Sequence, residues 1–226
     1  MLFIAKLTTA VTGLVQEMAD VALSRECLAC GREGPVLCLR CRARLPEVPA
    51  RRDQEPAVWF AGEYEGLLRE LVLAHKERGV RALSPILGEL LAHGVWAAAP
   101  GTEVIALVPI PAHRNSVRIR GRDCLNEVSL AAAKALQSRG RVCTVEPLLH
   151  WRRETARHAG QSARGRLDVQ EALTARAPRG RADSVIVVDD VITTGATVAE
   201  AVRACADAGV QISAVACVAS RSLRTR

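Results

Sequence analysis

Two clusters of side chains in this sequence have the types and spacing to do chemistry. The first is the run Val185-Ile-Val-Val-Asp189-Asp190-Val-Ile-Thr193-Thr194-Gly195-Ala196-Thr197. An apolar strand there delivers two adjacent carboxylates to a sheet edge, and a small, hydroxyl-rich loop then opens a helix. Gly195 and Ala196 let the backbone approach an anion, the amides of the helix N-terminus point at it, and Thr193, Thr194 and Thr197 add hydroxyl donors. Such a loop grips a phosphate monoester, whereas two acids beside it repel one. A sugar phosphate resolves the conflict, with its phosphate in the loop and its ribose hydroxyls donating to Asp189 and Asp190. The loop is not a P-loop, because it lacks the Gly-Lys-Thr/Ser ending. An ordinary strand-turn-helix connection with a Thr cap is the competing reading, but paired carboxylates at the end of a buried strand need a reason.

The second cluster is Cys27-Leu-Ala-Cys30, followed after seven residues by Cys38-Leu-Arg-Cys41. Each Cys-x-x-Cys pair forms a tight knuckle, and two knuckles supply the four thiolates of a tetrahedral structural Zn2+ site. A redox dithiol is the other use of one such pair; two matched pairs point to the metal. Gly31 and Pro35 suit the turns of a small ribbon. A segment this short cannot bury a core of its own, so metal binding supplies its folding free energy. The remaining Cys124, Cys143, Cys205 and Cys217 stand singly in apolar stretches and are expected to be buried as small hydrophobes.

The elements that position these clusters follow from periodicity. Ile4, Leu7, Val11, Leu14, Met18 and Val21 recur at spacings of 3 and 4, which predicts an amphipathic helix over residues 1–24. Residues 25–46 form the zinc ribbon, and 47–56, rich in proline and charge, read as a linker. From residue 57 to 226 the texture is α/β. Tyr64, Leu67, Leu68, Leu71, Val72 and His75 place a helix over 63–78, and a second spans 82–98. A strand at Val104–Val108 closes on Pro109-Ile-Pro111, a basic loop runs from His113 to Asp123, and Leu125–Leu136 returns to helix. Strands follow at 142–149, 185–188 and 212–218, with a basic stretch over 151–166 and a helix over 196–208. Alternation of this kind implies a mostly parallel sheet, whose ligands bind at the carboxyl ends of its strands.

The 226 residues allow one good-sized domain and a small module. The net charge of +7 is local: residues 101–181 carry 15 basic and 7 acidic side chains, while the segments on either side are near balance. That field points to an anionic partner such as phosphate, pyrophosphate or nucleic acid. With 3 Trp, 1 Tyr and 2 Phe there is little support for base stacking. No stretch reaches the roughly 18–20 apolar residues of a membrane span. Residues 1–21 lack the pattern of an export signal, so the expected compartment is the reducing cytoplasm. The oligomeric state stays open.

Residues 185–197 resemble the phosphoribosyl-pyrophosphate (PRPP) motif of type I phosphoribosyltransferases, matching at the apolar, acidic, Thr-Thr-Gly and final Thr positions. With a four-Cys ribbon ahead of that domain, the chain resembles the ComF family, associated with competence and DNA uptake. Tyr64-Glu-Gly66 with Lys76 downstream, Val108-Pro-Ile-Pro111 and Arg120-Gly121 are further pieces of the likeness, which covers roughly residues 25–220. It implies a type I phosphoribosyltransferase fold in which Val188, Asp189, Asp190, Thr193, Thr194, Gly195, Ala196 and Thr197 bind PRPP, Asp189 and Asp190 serving catalysis. It also implies that the loop after Pro111, with Arg114, Arg118 and Arg120, holds the pyrophosphate, that Mg2+ accompanies PRPP, and that residues 150–168 close over it. Where the family pattern runs Arg-Gly-aromatic-Asn-Gln, this chain has Arg120-Gly121-Arg122-Asp123-Cys124. Two functions follow from the resemblance: phosphoribosyl transfer to an acceptor, or PRPP sensing in a factor that binds single-stranded DNA or the uptake machinery.

Overall fold

The computed structural model describes residues 26–152, 172–178 and 180–221. The helix expected over 1–24 and most of the basic stretch over 151–166 lie outside them, as does the side chain of Arg114. No helix among the described residues is long and apolar enough to cross a membrane.

Six strands form one sheet: β1 (Ala50–Arg52), β2 (Val58–Glu63), β3 (Val104–Pro109), β4 (Val142–Val145), β7 (Ser184–Ile192) and β8 (Ala214–Ser220), in the order β1-β2-β8-β7-β3-β4. Every pairing is parallel except that of β1 with β2. A separate antiparallel pair joins β5 (Leu149–Trp151) to β6 (Leu173–Ala175). The helices are the short α1 (Leu39–Arg42), then α2 (Gly66–Glu77), α3 (Ser84–Ala98), α4 (Arg114–Arg120), α5 (Cys124–Gln137) and α6 (Ala196–Asp207). The architecture is therefore mixed α/β, with a mostly parallel sheet flanked by helices.

The two faces of the sheet follow from the period-2 alternation of its strands. Ile186, Val188 and Ala216 pack with Leu71 of α2, Leu87 and Leu91 of α3 and Ala132 of α5. Val187, Val215 and Cys217 pack on the other side with Val198, Ala201 and Cys205 of α6. Cys124, Cys143, Cys205 and Cys217 are all buried, as small hydrophobes should be. Cys27, Leu37 and Cys41 of the four-Cys segment belong to the same buried cluster as α2 and α3, so this segment leans on the core of the α/β unit.

Where α3 crosses α5, Gly88 is required by contact. A Cβ built on it would lie 2.4 Å from Ala131 Cβ and 2.9 Å from backbone atoms of Ala131 and Ala132. In an open helix Gly→Ala gains up to about 1 kcal/mol. Here overpacking outweighs that gain, and Gly88→Ala is expected to cost about 2 kcal/mol net, or roughly 4–8 °C in melting temperature. A variant melting at or above wild type would contradict the close crossing.

Several expectations are corrected. The segment read as a basic loop, His113–Asp123, contains α4: Arg114 to Arg120 holds no Gly or Pro, arginine favours helix, and Gly121 ends it in the left-handed region at φ 67. The strand read over 142–149 is two, in different sheets, separated around Pro147. The segment read as a linker contributes β1, whose Arg52 donates to Ser220 Oγ at 2.9 Å and to the Arg221 carbonyl. The strand at Val58–Glu63 was not anticipated, and β7 runs four residues past Val188.

Candidate functional site

After β3 the chain turns outward to β4 through helices on the α2–α3–α5 face; after β7 it turns the other way to β8 through α6 on the opposite face. The gap between the carboxyl ends of β3 and β7 is thus the point where the strand order reverses, and open parallel sheets bind ligands in that crevice. The last pair shared by the two strands is Pro109 with Val188, closed by Ile110 N–H donating to the Val188 carbonyl at 3.0 Å. Beyond it Asp189 to Ile192 pair with β8 alone.

Asp189 and Asp190 are the first residues past that divergence. Alternation puts Asp189, opposite Cys217, on the α6 side and Asp190 on the α2 side. Asp190 N–H donates to Asp189 Oδ1 at 2.8 Å. Burial, then the charge of Asp190, pushes the Asp189 carboxyl up to about 8, against the pull of that N–H and of Lys76. Asp189 therefore keeps its proton to a higher pH than an exposed carboxyl does.

Lys76 supplies the balancing cation: its Nζ lies 2.7 Å from Asp190 Oδ2. The helix that carries it starts at the carboxyl end of β2 and ends beside β7, two strands away. Twelve residues span about 18 Å, enough to cross the roughly 10 Å between those strands. Burial works against the charge on Lys76, but the two aspartates outweigh it and raise its pKa. In the sequence alone, a Lys that merely favours the end of a helix is at least as good a reading of Lys76; the strand order, not legible locally, decides its place. The next residue, Glu77, accepts from Arg120 NH2 at 2.8 Å, which brings the end of α4 to the end of α2.

The other side of the crevice is the loop Thr193–Thr197. Thr193 and Thr194 are exposed, and Gly195 sits at φ 80 with open space where a Cβ would be. The N-cap Gly195 offers no side-chain cap and the first turn of α6 no acidic residue; Ala196 N–H donates to the neutral Thr194 Oγ1 at 3.4 Å, which leaves the positive end of the helix uncompensated by an acid of its own first turn. Thr197 lies half-buried in that first turn. The crevice thus combines an uncapped helix start, hydroxyls, an acid pair and a cation.

Of the three arginines expected to hold pyrophosphate, all lie on α4. Arg120 points to Glu77, Arg118 is exposed, and the Arg114 side chain is outside the described residues. Trp151, which a base-stacking role would use, donates from its indole N–H to the Pro111 carbonyl at 2.8 Å and stacks on His113 with ring centroids 4.0 Å apart. The partner strand β6 is held by α6: Glu200, buried, accepts from Leu173 N–H at 2.8 Å and from Arg203, which also donates to the Leu173 carbonyl at 3.0 Å.

The Sγ atoms of Cys27, Cys30, Cys38 and Cys41 lie within 4.8 Å of one another, Cys30 and Cys38 at 3.8 Å. Tetrahedral Zn2+ with bonds of about 2.3 Å sets sulfur atoms about 3.8 Å apart, so the cluster fits a structural zinc. Burial raises the Cys27 thiol, but N–H donors from Cys38, Ala29 and Cys30 outweigh it and bring it to about 6, a thiolate ready for metal. Burial and the neighbouring thiols push Cys41 up to about 12. A groove of about 330 Å³ between this segment and α3, lined by Leu39, Leu45, Ile86, Leu90 and His93, contains none of the crevice residues.

The class defined by fold and site is a mixed α/β protein with a mostly parallel sheet, an acid pair at the switch point and a four-Cys cluster. Compared with family models and with curated proteins, the chain matches none.

Proposed function

We propose that the chain binds PRPP in the β3–β7 crevice and transfers its phosphoribosyl group to an acceptor with release of pyrophosphate, as a ComF-like protein of the phosphoribosyltransferase type. The observation that carries this reading is the acid pair at the switch point, balanced by Lys76 at 2.7 Å and facing an uncapped, glycine-opened helix. The 5′-phosphate takes the Thr193–Thr197 amides and hydroxyls. The ribose hydroxyls take Asp189 and Asp190, so that the acids meet donors rather than a phosphate. Lys76 and Arg120 stand on the side where the pyrophosphate leaves.

In the reaction the bond from C1 to the pyrophosphate oxygen breaks with its electron pair on the leaving group, and a lone pair of the acceptor forms the new bond to C1. The protein contributes position, charge for the leaving group and exclusion of water. Mg2+ would accompany PRPP and screen the charge of its phosphates, as a hard cation that binds substrate phosphates rather than a dedicated protein cage. Cys27, Cys30, Cys38 and Cys41 would hold Zn2+ with all four positions filled by protein, which would make it a structural rather than a reacting ion.

Calorimetry with PRPP and Mg2+ tests the pocket. Asp189→Asn/Asp190→Asn is expected to bind at least about 100-fold more weakly than wild type, because the ribose hydroxyls lose both carboxyl partners, one of them a buried acid beside Lys76. Equal affinity would sink the assignment. Pyrophosphate release across a panel of nucleobases and amines then separates turnover from sensing.

A further inference from the structure

We infer that Arg122 is a positioning residue: buried at the junction of α4 and α5, it holds the last turn of α2 so that Lys76 stands against Asp190. Arg122 is 9% exposed. Its NH2 donates to the His75 carbonyl at 2.6 Å, its Nε to Cys124 Sγ at 3.3 Å, and its NH1 lies 2.9 Å from Glu127 Oε2. The last four carbonyls of a helix lack partners within it. In α2 the Ala74 carbonyl accepts from Val80 N–H, and the His75 carbonyl accepts from Arg122. The residue so capped is the immediate neighbour of Lys76.

The His75 side chain is fixed independently. Its Nε2 is 2.8 Å from Ser84 Oγ at the start of α3, and Ser84 donates to Glu127 Oε2 at 3.4 Å. Burial and the Arg122 charge push His75 down to about 4, so its ring is neutral. Glu127 on α5 collects Arg122, Ser84 and, at 3.8 Å, Arg81. Main chain and side chain of His75 are thus both tied to Glu127, one through Arg122 and the other through Ser84. A planar fork with several donors can reach a carbonyl, a thiol and a carboxylate at once; a lysine cannot. The guanidinium of Arg122 is spent on the His75 carbonyl, Cys124 and Glu127, so its effect on the acid pair runs through the backbone it caps.

The labelling part of the test is independent of the proposed function; the ligand part rests on it. In the full chain, Arg122→Met and the charge-balanced Arg122→Met/Glu127→Gln are compared with wild type for acylation of Lys76 by an amine-reactive ester, read by mass spectrometry. Both are expected to be labelled roughly tenfold faster. The double variant leaves no carboxylate orphaned and keeps the comparison open if the single one fails to fold. An unchanged rate in a variant that still melts cooperatively overturns the inference. PRPP affinity in Mg2+ is expected to fall roughly tenfold in the Arg122 variants and not at all when Arg122→Met is added to Lys76→Met, as a double-mutant cycle requires. An equal fall in both backgrounds means that Arg122 acts by another route and also overturns it. Wild type that does not bind PRPP defeats the proposed function, while the labelling rates still decide on Arg122.

Discussion

Asp189→Asn is expected to melt above wild type at pH 8 and level with it near pH 4. The folded protein holds the Asp189 proton up to about 8, because burial and the adjacent Asp190 disfavour its charge. In the unfolded chain the same carboxyl titrates near 3.9. Below that value both states keep the proton, and Asn is a fair match for protonated Asp. As pH rises through the window from about 4 to about 8, the unfolded chain gains by releasing its proton and the folded state does not, so the stability of wild type falls relative to the variant. Above about 8 the gap is constant. A gap of about 2 kcal/mol corresponds to roughly 4–8 °C for a chain of this size. A difference independent of pH would show that Asp189 is not a strained acid. The stabilising substitution is one half of the pair of changes expected to weaken PRPP binding, the trade-off of a site shaped for a ligand.

Cys41→Ser is expected to abolish stoichiometric zinc, from one per chain to a trace by atomic emission, and to lower the melting temperature by more than about 10 °C, since structural zinc supplies folding free energy of several kcal/mol or more. Cys41 belongs with Cys27 and Leu37 to the cluster that includes Leu68, Leu71 and Val72 of α2. Loss of the metal therefore loosens the helix that carries Lys76 as well as the ribbon. A chelator acting on wild type should reproduce the fall, which separates loss of metal from the cost of a buried hydroxyl. Wild type that is metal-free as purified, or a chelated protein with unchanged melting, would count against a structural zinc.

The strands at Val104 and Val185 were legible as short, unbroken apolar runs, and the helix around Leu71 because its apolar residues repeat at the helical period. The acid pair and the four thiols were legible because spacing along the chain is nearly spacing in space. Helix α4 was hidden by its charges: Arg114, Arg118 and Arg120 make it look like a solvated loop, although nothing in it breaks a helix. The split between β4 and β5 had a visible signal in Pro147, which ends a strand by removing a donor. Strand β8 is rich in alanine, at 214, 216 and 219, and its frame shifted by two residues because alanine carries little strand preference. Lys76 and Arg122 could not be placed by pattern at all. Their partners Asp190 and His75 are remote in sequence, and only the order of the strands and the path of α2 bring them together.

The position of β8 has a consequence for how the chain comes together. All seven of its residues are buried, and it lies between β2 and β7, with Val58 opposite Val215. During synthesis β2 emerges early yet has no parallel neighbour until β8 follows it out of the ribosome. Until then an apolar strand edge waits unpaired, the state in which chains associate with one another. Pairing this remote in sequence is also slow, because the intervening chain must be closed into a loop before any contact rewards it. The two flanks of the sheet, β1–β2 and β7–β3–β4, become one surface only when this strand slides in, so the crevice is among the last features of the molecule to exist.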